Sequence, residues 1–263
     1  MTTPTKLKPA LKWAGGKSWL VDKMCDYWSH QPHKRLVEPF VGAGAIALGI
    51  KPESALLNDI NPHLINFWKW LQKGLAIDSI LVNDADFFYL VRERFNKLIV
   101  ENRSDTQNAA EWFYYLNKQG FNGLCRFNQS GLFNVPFGKY SKLNTKQDLR
   151  EYVPVIQDWE FTCTDFSETE IKDGDFIYVD PPYDVEFTQY SKEVFNWNEQ
   201  VRLAEWLKQS EQTVFASNQA TPRILELYGD FGFEILQVEA PRCISCKGDR
   251  TPAQEIVAYR YSK

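Results

Sequence analysis

The sequence has no apolar run long enough to cross a bilayer. Its longest, such as Ala43 to Ile50, are broken by glycine and fall far short of the roughly 20 residues a spanning helix needs. No basic start followed by an apolar core occurs between Met1 and Leu20, which excludes a secretory leader there and predicts a cytoplasmic protein. Cysteine is scarce and odd in number, 5 in 263 residues, so disulfide stapling is excluded as an organising principle and a reducing compartment is expected. Metal chemistry lacks its ligands: Cys243 and Cys246 form a single spaced pair, Cys25, His30 and His33 are remote from them, and a site needs four placed ligands. Internal repeats and low-complexity segments are absent. So is an overall basic excess, since 30 Lys and Arg stand against 34 Asp and Glu for a net charge of -4, a total that by itself speaks against nucleic acid.

What the chain does have is 44% hydrophobic and 15% aromatic residues, ample surface to bury against the entropy of ordering, which excludes disorder. Its length suits one large domain, or a core domain carrying an insert. Its charges are segregated. Lys6, Lys8, Lys12, Lys17, Lys23, Lys34 and Arg35 meet only Asp22 and Asp26 in the first stretch, while Lys118, Arg126, Lys139, Lys142 and Lys146 occupy a second with no acid at all. Acids between Glu151 and Ala240 cancel both. The small negative total therefore hides two basic stretches suited to phosphate.

Continuous apolar runs mark buried strands of a parallel sheet: Arg35 to Phe40, Ser54 to Leu57, Asp175 to Val179 and Thr213 to Ala216, with Phe233 to Val238 and Glu255 to Tyr261 as late strands. Helical patterns lie between them, including Gly42 to Ile50, and Leu203 with Leu207 after a cap at Asn196 or Asn198. This alternation predicts an α/β layered sheet. It breaks off between Asn61 and Gln147, where Ala109, Trp112, Phe113 and Leu116 follow helical spacing and Leu64 to Leu71 and Phe87 to Ile99 also read as helices. Gly120 to Gly138, centred on Asn128-Gln129-Ser130-Gly131, reads as a hairpin. The chain thus divides into residues 1–60 and 148–263 as the α/β domain and 61–147 as a mostly helical insert with one hairpin.

Three motifs carry chemistry. In Glu38-Pro39-Phe40-Val41-Gly42-Ala43-Gly44, glycines directly after a strand allow a tight turn and close approach of a ligand. Asp59, at the end of the next strand, can accept both hydroxyls of a ribose, or simply close an Asx turn before the next helix. In Asp180-Pro181-Pro182-Tyr183 the two prolines stiffen the strand exit and remove two N–H donors, leaving acceptors suited to an amino group beside a tyrosine on which a ring can stack. Lys12-Trp13-Ala14-Gly15-Gly16-Lys17 is a glycine turn that lacks the full spacing of a phosphate loop, which argues against a nucleotide triphosphatase.

In their order along the chain these motifs resemble the Dam-type DNA adenine-N6 methyltransferases, of the D12 or alpha group. The resemblance extends into the insert, where Phe121 to Asn128 and Gly131 to Gly138 are similar to that family's DNA-reading hairpin. It implies a Rossmann-like S-adenosylmethionine-dependent methyltransferase sheet with a helical target-recognition insert. By the same resemblance S-adenosylmethionine is held by Trp13, Lys17, Phe40, Gly42, Gly44, Asp59 and Asp180, with Asp165 and Phe166 at its adenine. Asp180, Pro181, Pro182 and Tyr183 then form the catalytic turn, acting on an adenine flipped out of the duplex and stacked on Tyr183.

For the DNA, the implied contacts are Lys12 and Arg126 at base edges, Arg126 with the planar fork that matches guanine O6 and N7. Phe121 and Asn122 brace the gap left by the flipped base, Leu124 and Pro136 pack on bases, and Arg92 and Lys139 meet phosphates. The remaining phenylalanines, Phe127, Phe133 and Phe137, are expected to form hairpin core. The surroundings of the cysteine pair, Arg242, Lys247 and Arg250, suggest a loop touching the DNA backbone. The expected partner is double-stranded DNA bound by a monomer, with no membrane and no metal, at a short site expected to be GATC. The alternatives are another adenine-containing site in a restriction-modification pair, or a non-catalytic DNA-binding relative. Methylation of a protein or RNA amide would sit better with Asn in place of Asp180.

Overall fold

The computed structural model describes residues 7–30, 32–77, 81–184, 195–241 and 253–262. Helix α1 (Val21–Ser29) leads to β1 (Arg35–Glu38), α2 (Ala45–Ile50) and β2 (Ala55–Asn58). The insert follows as α3 (Pro62–Gln72), α4 (Ala85–Val100) and α5 (Gln107–Gln119), and the chain returns through a single turn, α6 (Val153–Ile156), to β3 (Glu160–Thr162) and β4 (Asp175–Val179). Then come α7 (Trp197–Gln209), β5 (Thr213–Gln219), α8 (Pro222–Asp230), β6 (Glu234–Ala240) and β7 (Ala253–Arg260).

The strands form one sheet in the order β3-β2-β1-β4-β5-β7-β6. β1 lies parallel to β2 and β4, β2 to β3, and β4 to β5. The chain winds outward in both directions from β1 and β4, so their adjacent carboxyl ends form the crevice in which open α/β sheets bind ligands. β1, β2 and β4 are buried along their whole length, as their unbroken apolar runs predict.

The late strands correct the expectation of a parallel sheet. β7 runs antiparallel to both β5 and β6, because the chain turns back after β6 and enters the gap beside β5. β3 went unpredicted: it has three residues, of which only Phe161 is buried, too little to stand out as an apolar run. β5 continues past Ala216 to Gln219 although Ser217 and Asn218 are polar. Both are buried and satisfied, Ser217 Oγ against the Tyr178 hydroxyl at 2.8 Å and Asn218 Nδ2 donating to Gln200 Oε1 at 2.9 Å.

Cap residues set the helix starts. Asn61 accepts from the amides of His63 and Leu64 with Pro62 in the first turn, and Asp84, Thr106, Asn196 and Thr221 cap α4, α5, α7 and α8 in the same manner. One face of the sheet packs in a core that also contains Phe67, Trp68, Phe95, Phe113 and Tyr114 of the insert, so the insert helices share apolar contacts with β1 and β2. Trp68 is fully buried, with its ring stacked 5.5 Å from Phe161. The other face packs against α7 and α8 through Leu203, Leu207, Ile224 and Tyr228. With both faces covered, the carboxyl edge of the sheet is left for chemistry.

Candidate active site

The strand exits are stitched together before any ligand is considered. Asn58, fully buried at the end of β2, donates from Nδ2 to the carbonyls of Pro39 and Thr164 at 3.1 and 3.0 Å. Its Oδ1 accepts from the Thr164 amide at 3.0 Å, so one side chain fixes the exits of three strands. Asp59 Oδ2 accepts from the Gly42 amide at 3.1 Å and Oδ1 from the Asn61 amide at 3.0 Å. The Asx turn is therefore realised, and the acid pins the glycine loop to β2 while lining the cavity. Burial raises the Asp59 carboxyl, and the two amides pull it back.

The loop after β1 needs its glycines. Gly42 and Gly44 have φ of +49° and +65°, and a Cβ would lie 2.7 Å from Trp13 Nε1 at Gly42 and 2.8 Å from the Trp68 ring at Gly44. The loop, the Trp13 to Lys17 turn and the exit of β4 enclose a cavity of about 780 Å³. Its walls include Trp13, Lys17, Phe40, Gly42, Gly44, Asp59 and the whole of Asp180-Pro181-Pro182-Tyr183. Residues distant in sequence, each singled out by motif, thus meet in one crevice.

At its inner end lies a charged network. Lys17, only 3% exposed, donates from Nζ to the Gly15 carbonyl at 2.6 Å and lies 2.9 Å from Asp180 Oδ1 and 3.8 Å from Glu255 Oε2. The same ammonium stands 4.6 Å over the Tyr183 ring, whose hydroxyl donates to Glu255 Oε2 at 2.6 Å. Asp180 keeps 21% of its side chain exposed. Burial raises its carboxyl above the ordinary range, Lys17 draws it down, and Glu255 raises it again. Glu38, buried at the end of β1 with Oε1 unpartnered, is pushed well above the ordinary carboxylate range by burial, and a backbone bond at Ala47 draws it back. Behind the turn, Gln200 Nε2 donates to the Pro182 carbonyl at 2.8 Å.

Several expected residues have protein partners of their own. Asp165 and Phe166 form no part of the cavity wall. Asp165 caps the short turn Phe166–Glu168 and is clasped by Arg202 at 2.7 and 2.8 Å, which holds its carboxyl far below the usual range. Phe166 is buried under the Arg202 guanidinium at 4.0 Å, one ring behind Phe40, whose centroid is 5.5 Å away. Lys12 Nζ donates to the Lys118 carbonyl at 2.8 Å and stands 3.7 Å over the Tyr140 ring, tying the first basic stretch to the second.

In the insert, isolated bridges pair Gly120 with Phe137 and Phe127 with Phe133, and Asn128 Oδ1 closes the turn by accepting from Ser130 and Leu132, each at 3.0 Å. Phe133 is buried, Phe127 stacks 4.9 Å from His63, and Phe137 lies 5.5 Å from Phe88, which makes these rings hairpin core. Phe121 stays 43% exposed beside Asn122, whose φ is +53°. Arg126 is exposed, with Nε donating to Asn134 Oδ1 at 2.8 Å. Pro136 and Lys139 are exposed as well, and Arg92 Nη1 donates to the Val135 carbonyl at 3.2 Å. Leu124 and Cys125 reach the cavity wall. The cysteine pair with Arg242, Lys247 and Arg250 lies outside the described residues.

Sequence reasoning missed Glu38, Ile60 and Glu255. Ile60 lines the cavity next to Asp59 and is 65% exposed, an unusual position for an isoleucine. Among the described residues no group of His, Cys, Asp and Glu is placed to hold a metal, and no helix is long and apolar enough to cross a membrane.

Known proteins resemble the chain along nearly its whole length. The chain is 37% identical over 273 residues to the DNA N-6-adenine-methyltransferase of Escherichia phage P1, covering 94% of this chain and 35% of the phage protein, about a third of its length. It is 35% identical over 273 residues to a DNA adenine methylase of Vibrio cholerae, covering 96% of each chain. It is 32% identical over 278 residues to the type II methyltransferase M1.LlaDCHI of Lactococcus lactis, covering 97% of this chain and 96% of that one. Residues 13–244 match the family described as D12 class N6 adenine-specific DNA methyltransferase. With the glycine loop, the Asp180-Pro181-Pro182-Tyr183 turn and Leu124 and Cys125 of the hairpin around one cavity, and relatives that match it end to end, the chain belongs to the D12 class N6 adenine-specific DNA methyltransferases.

Proposed function

We propose that this enzyme methylates N6 of an adenine flipped out of a short duplex site, GATC, with S-adenosylmethionine as donor and one protein molecule acting at a time. The observation that supports it best is the convergence of the β1 glycine loop, Lys17 and Asp180-Pro181-Pro182-Tyr183 on one cavity. The residues suit the donor: glycines keep side chains out of the loop, Asp59 offers carboxylate oxygens for ribose hydroxyls, and Glu38 presents an unpartnered oxygen. When bound, S-adenosylmethionine supplies an electrophilic methyl group on a sulfonium.

The chain's own part is to make a poor nucleophile serviceable. The N6 lone pair of adenine is delocalised into the ring until acceptors hold its hydrogens and favour a tetrahedral nitrogen. Asp180 and the Pro181 carbonyl are such acceptors, rigid because two prolines and the Gln200 bond to Pro182 fix the turn. Lys17 covers one face of Tyr183, so the base stacks on the opposite face. The proton released from N6 goes to Asp180 or to solvent. No cysteine nucleophile is required, and Cys125, which does line the cavity, has its thiol pushed up to about 12 by burial, a protonated and unreactive state.

Arg126 on the exposed hairpin supports the sequence preference. The test is incubation with labelled S-adenosylmethionine and duplexes with and without GATC, followed by mapping of the modified base. Label on adenine within GATC is expected. Label on adenine in another sequence would favour the restriction-modification alternative, for which the Lactococcus relative is the precedent. Label on cytosine, or on no DNA, would end the proposal.

A further inference from the structure

We propose that Glu255 is a positioning residue for methyl transfer, holding the Tyr183 ring through its hydroxyl and sharing the Lys17 ammonium with Asp180. The inference rests on the reading of the cavity as an adenine site and goes beyond it, because Glu255 lies on β7, past the residues 13–244 matched by the family.

Three contacts argue for it. Tyr183 donates its hydroxyl to Glu255 Oε2 at 2.6 Å, a bond that fixes the end of a side chain with two free torsions. Lys17 Nζ is 3.8 Å from that same oxygen while it sits 2.9 Å from Asp180 and 4.6 Å over the Tyr183 ring. Glu255 itself is buried, 9% exposed, and its backbone pairs with Gln219 at the end of β5, which delivers the carboxylate to the exit of β4. One buried cation is thus shared by two carboxylates, and one of these also holds the ring.

The arrangement has two consequences. With a single ammonium between two carboxylates, the cluster keeps a negative charge, and Asp180 is a stronger acceptor than it would be as Lys17's only partner. With its hydroxyl tethered and one face covered, Tyr183 offers a single fixed face to a base. The groups that act on Asp180 are Lys17 from the N-terminal turn, Glu38 from β1, Tyr178 from β4, Tyr183 from the turn and Glu255 from β7. Of these, Glu38 is raised by its burial, and Lys17 and Glu255 have opposing effects on Asp180.

The experiment compares wild type, Glu255→Gln and Glu255→Ala in single-turnover methylation across a pH series, with DNA affinity and thermal midpoint measured on the same samples. Glu255→Ala is expected to lower the single-turnover rate on the order of 10²-fold with DNA affinity near that of wild type, as misplacement of a reacting partner does. Glu255→Gln still accepts the Tyr183 hydroxyl and is expected to recover most of that rate. Its acid limb should move to lower pH, because Asp180 loses the neighbour that raises it. Wild-type rates and an unmoved acid limb in both variants would overturn the proposal, as would a rate loss in both that only follows a lower thermal midpoint. Should Glu255→Ala not fold, Glu255→Gln decides alone through its acid limb. Wild-type enzyme that puts no label on adenine would refute the underlying reading instead, so the two failures are distinct.

Discussion

Gln200 donates to the carbonyl of Pro182 at 2.8 Å while its own Oε1 accepts from Asn218, so a helix behind the sheet braces the turn that faces the cavity. Gln200 is buried and has no place in the cavity wall. Replacing it with Leu leaves the Pro182 carbonyl and the Asn218 amide without partners in an apolar setting. We expect Gln200→Leu to lower stability by about 1–3 kcal/mol and to slow methyl transfer while cofactor affinity holds. Urea unfolding with single-turnover kinetics checks both parts, and an unchanged rate in a destabilised variant would mean that the brace serves folding alone.

Asp180 is the acceptor most exposed to its task. Asp180→Ala is expected to abolish transfer and leave DNA binding largely intact, measured by methyl incorporation and by fluorescence anisotropy of a labelled duplex. Retained turnover would remove Asp180 from the reacting centre.

Arg126 extends from the hairpin with Nε donating to Asn134 Oδ1 at 2.8 Å and Nη2 to the Asn134 carbonyl at 3.4 Å, which leaves Nη1 and the second hydrogen of Nη2 for a base. Arg126→Ala should relax preference at one base pair by about 1–3 kcal/mol. Competition between cognate duplexes and single-substitution duplexes reads this out. An unchanged preference would place sequence reading elsewhere on the insert.

His63 predicts an acid-sensitive contact between α3 and the hairpin. It is buried against Phe95 and Phe127 with Nδ1 unpartnered, and burial lowers its imidazole from 6.5 to about 4. Because the folded value is the lower one, the unfolded chain takes up the proton first. The stabilisation is complete above the unfolded value and is lost as pH falls from 6.5 towards 4, by up to about 3 kcal/mol. Glu38 acts in the opposite sense: its folded carboxyl is raised, so its contribution is complete at low pH and fades as pH climbs above the usual carboxylate range. His63→Leu should therefore flatten the acid side of the stability profile, followed by urea midpoints from neutral pH downward. An unaltered slope would assign acid sensitivity to other groups.

The parts of the site legible in the sequence are those that one turn contains. Gly42 and Gly44 announce themselves by following a strand, and Asp180-Pro181-Pro182-Tyr183 by following another, because local sterics alone dictate both. Glu255 was hidden: it reaches Tyr183 across 72 residues through a β7 pairing that no local pattern reveals. The partner of Asp165 was hidden for the same reason. Arg202 lies 37 residues on, and its guanidinium clasps the carboxylate with two bonds. In the fold, continuous apolar runs revealed β1, β2 and β4, while β3 was too short to be heard and the direction of β7 is set by pairing rather than composition.

Leu124 and Cys125 belong to the hairpin yet stand in the wall of the cavity, and Asn61 Nδ2 donates to Cys125 Sγ at 3.5 Å from just beyond Asp59. A wall shared by two sites makes their occupancies linked quantities. If Arg126 reads the duplex as proposed, whatever free energy the filled cavity contributes by settling Leu124 and Cys125 is gained by a correctly read duplex through Arg126 one residue further along, and the reverse holds by the same amount. Recognition of sequence and retention of the methyl donor would then be reciprocal properties of one short stretch of chain.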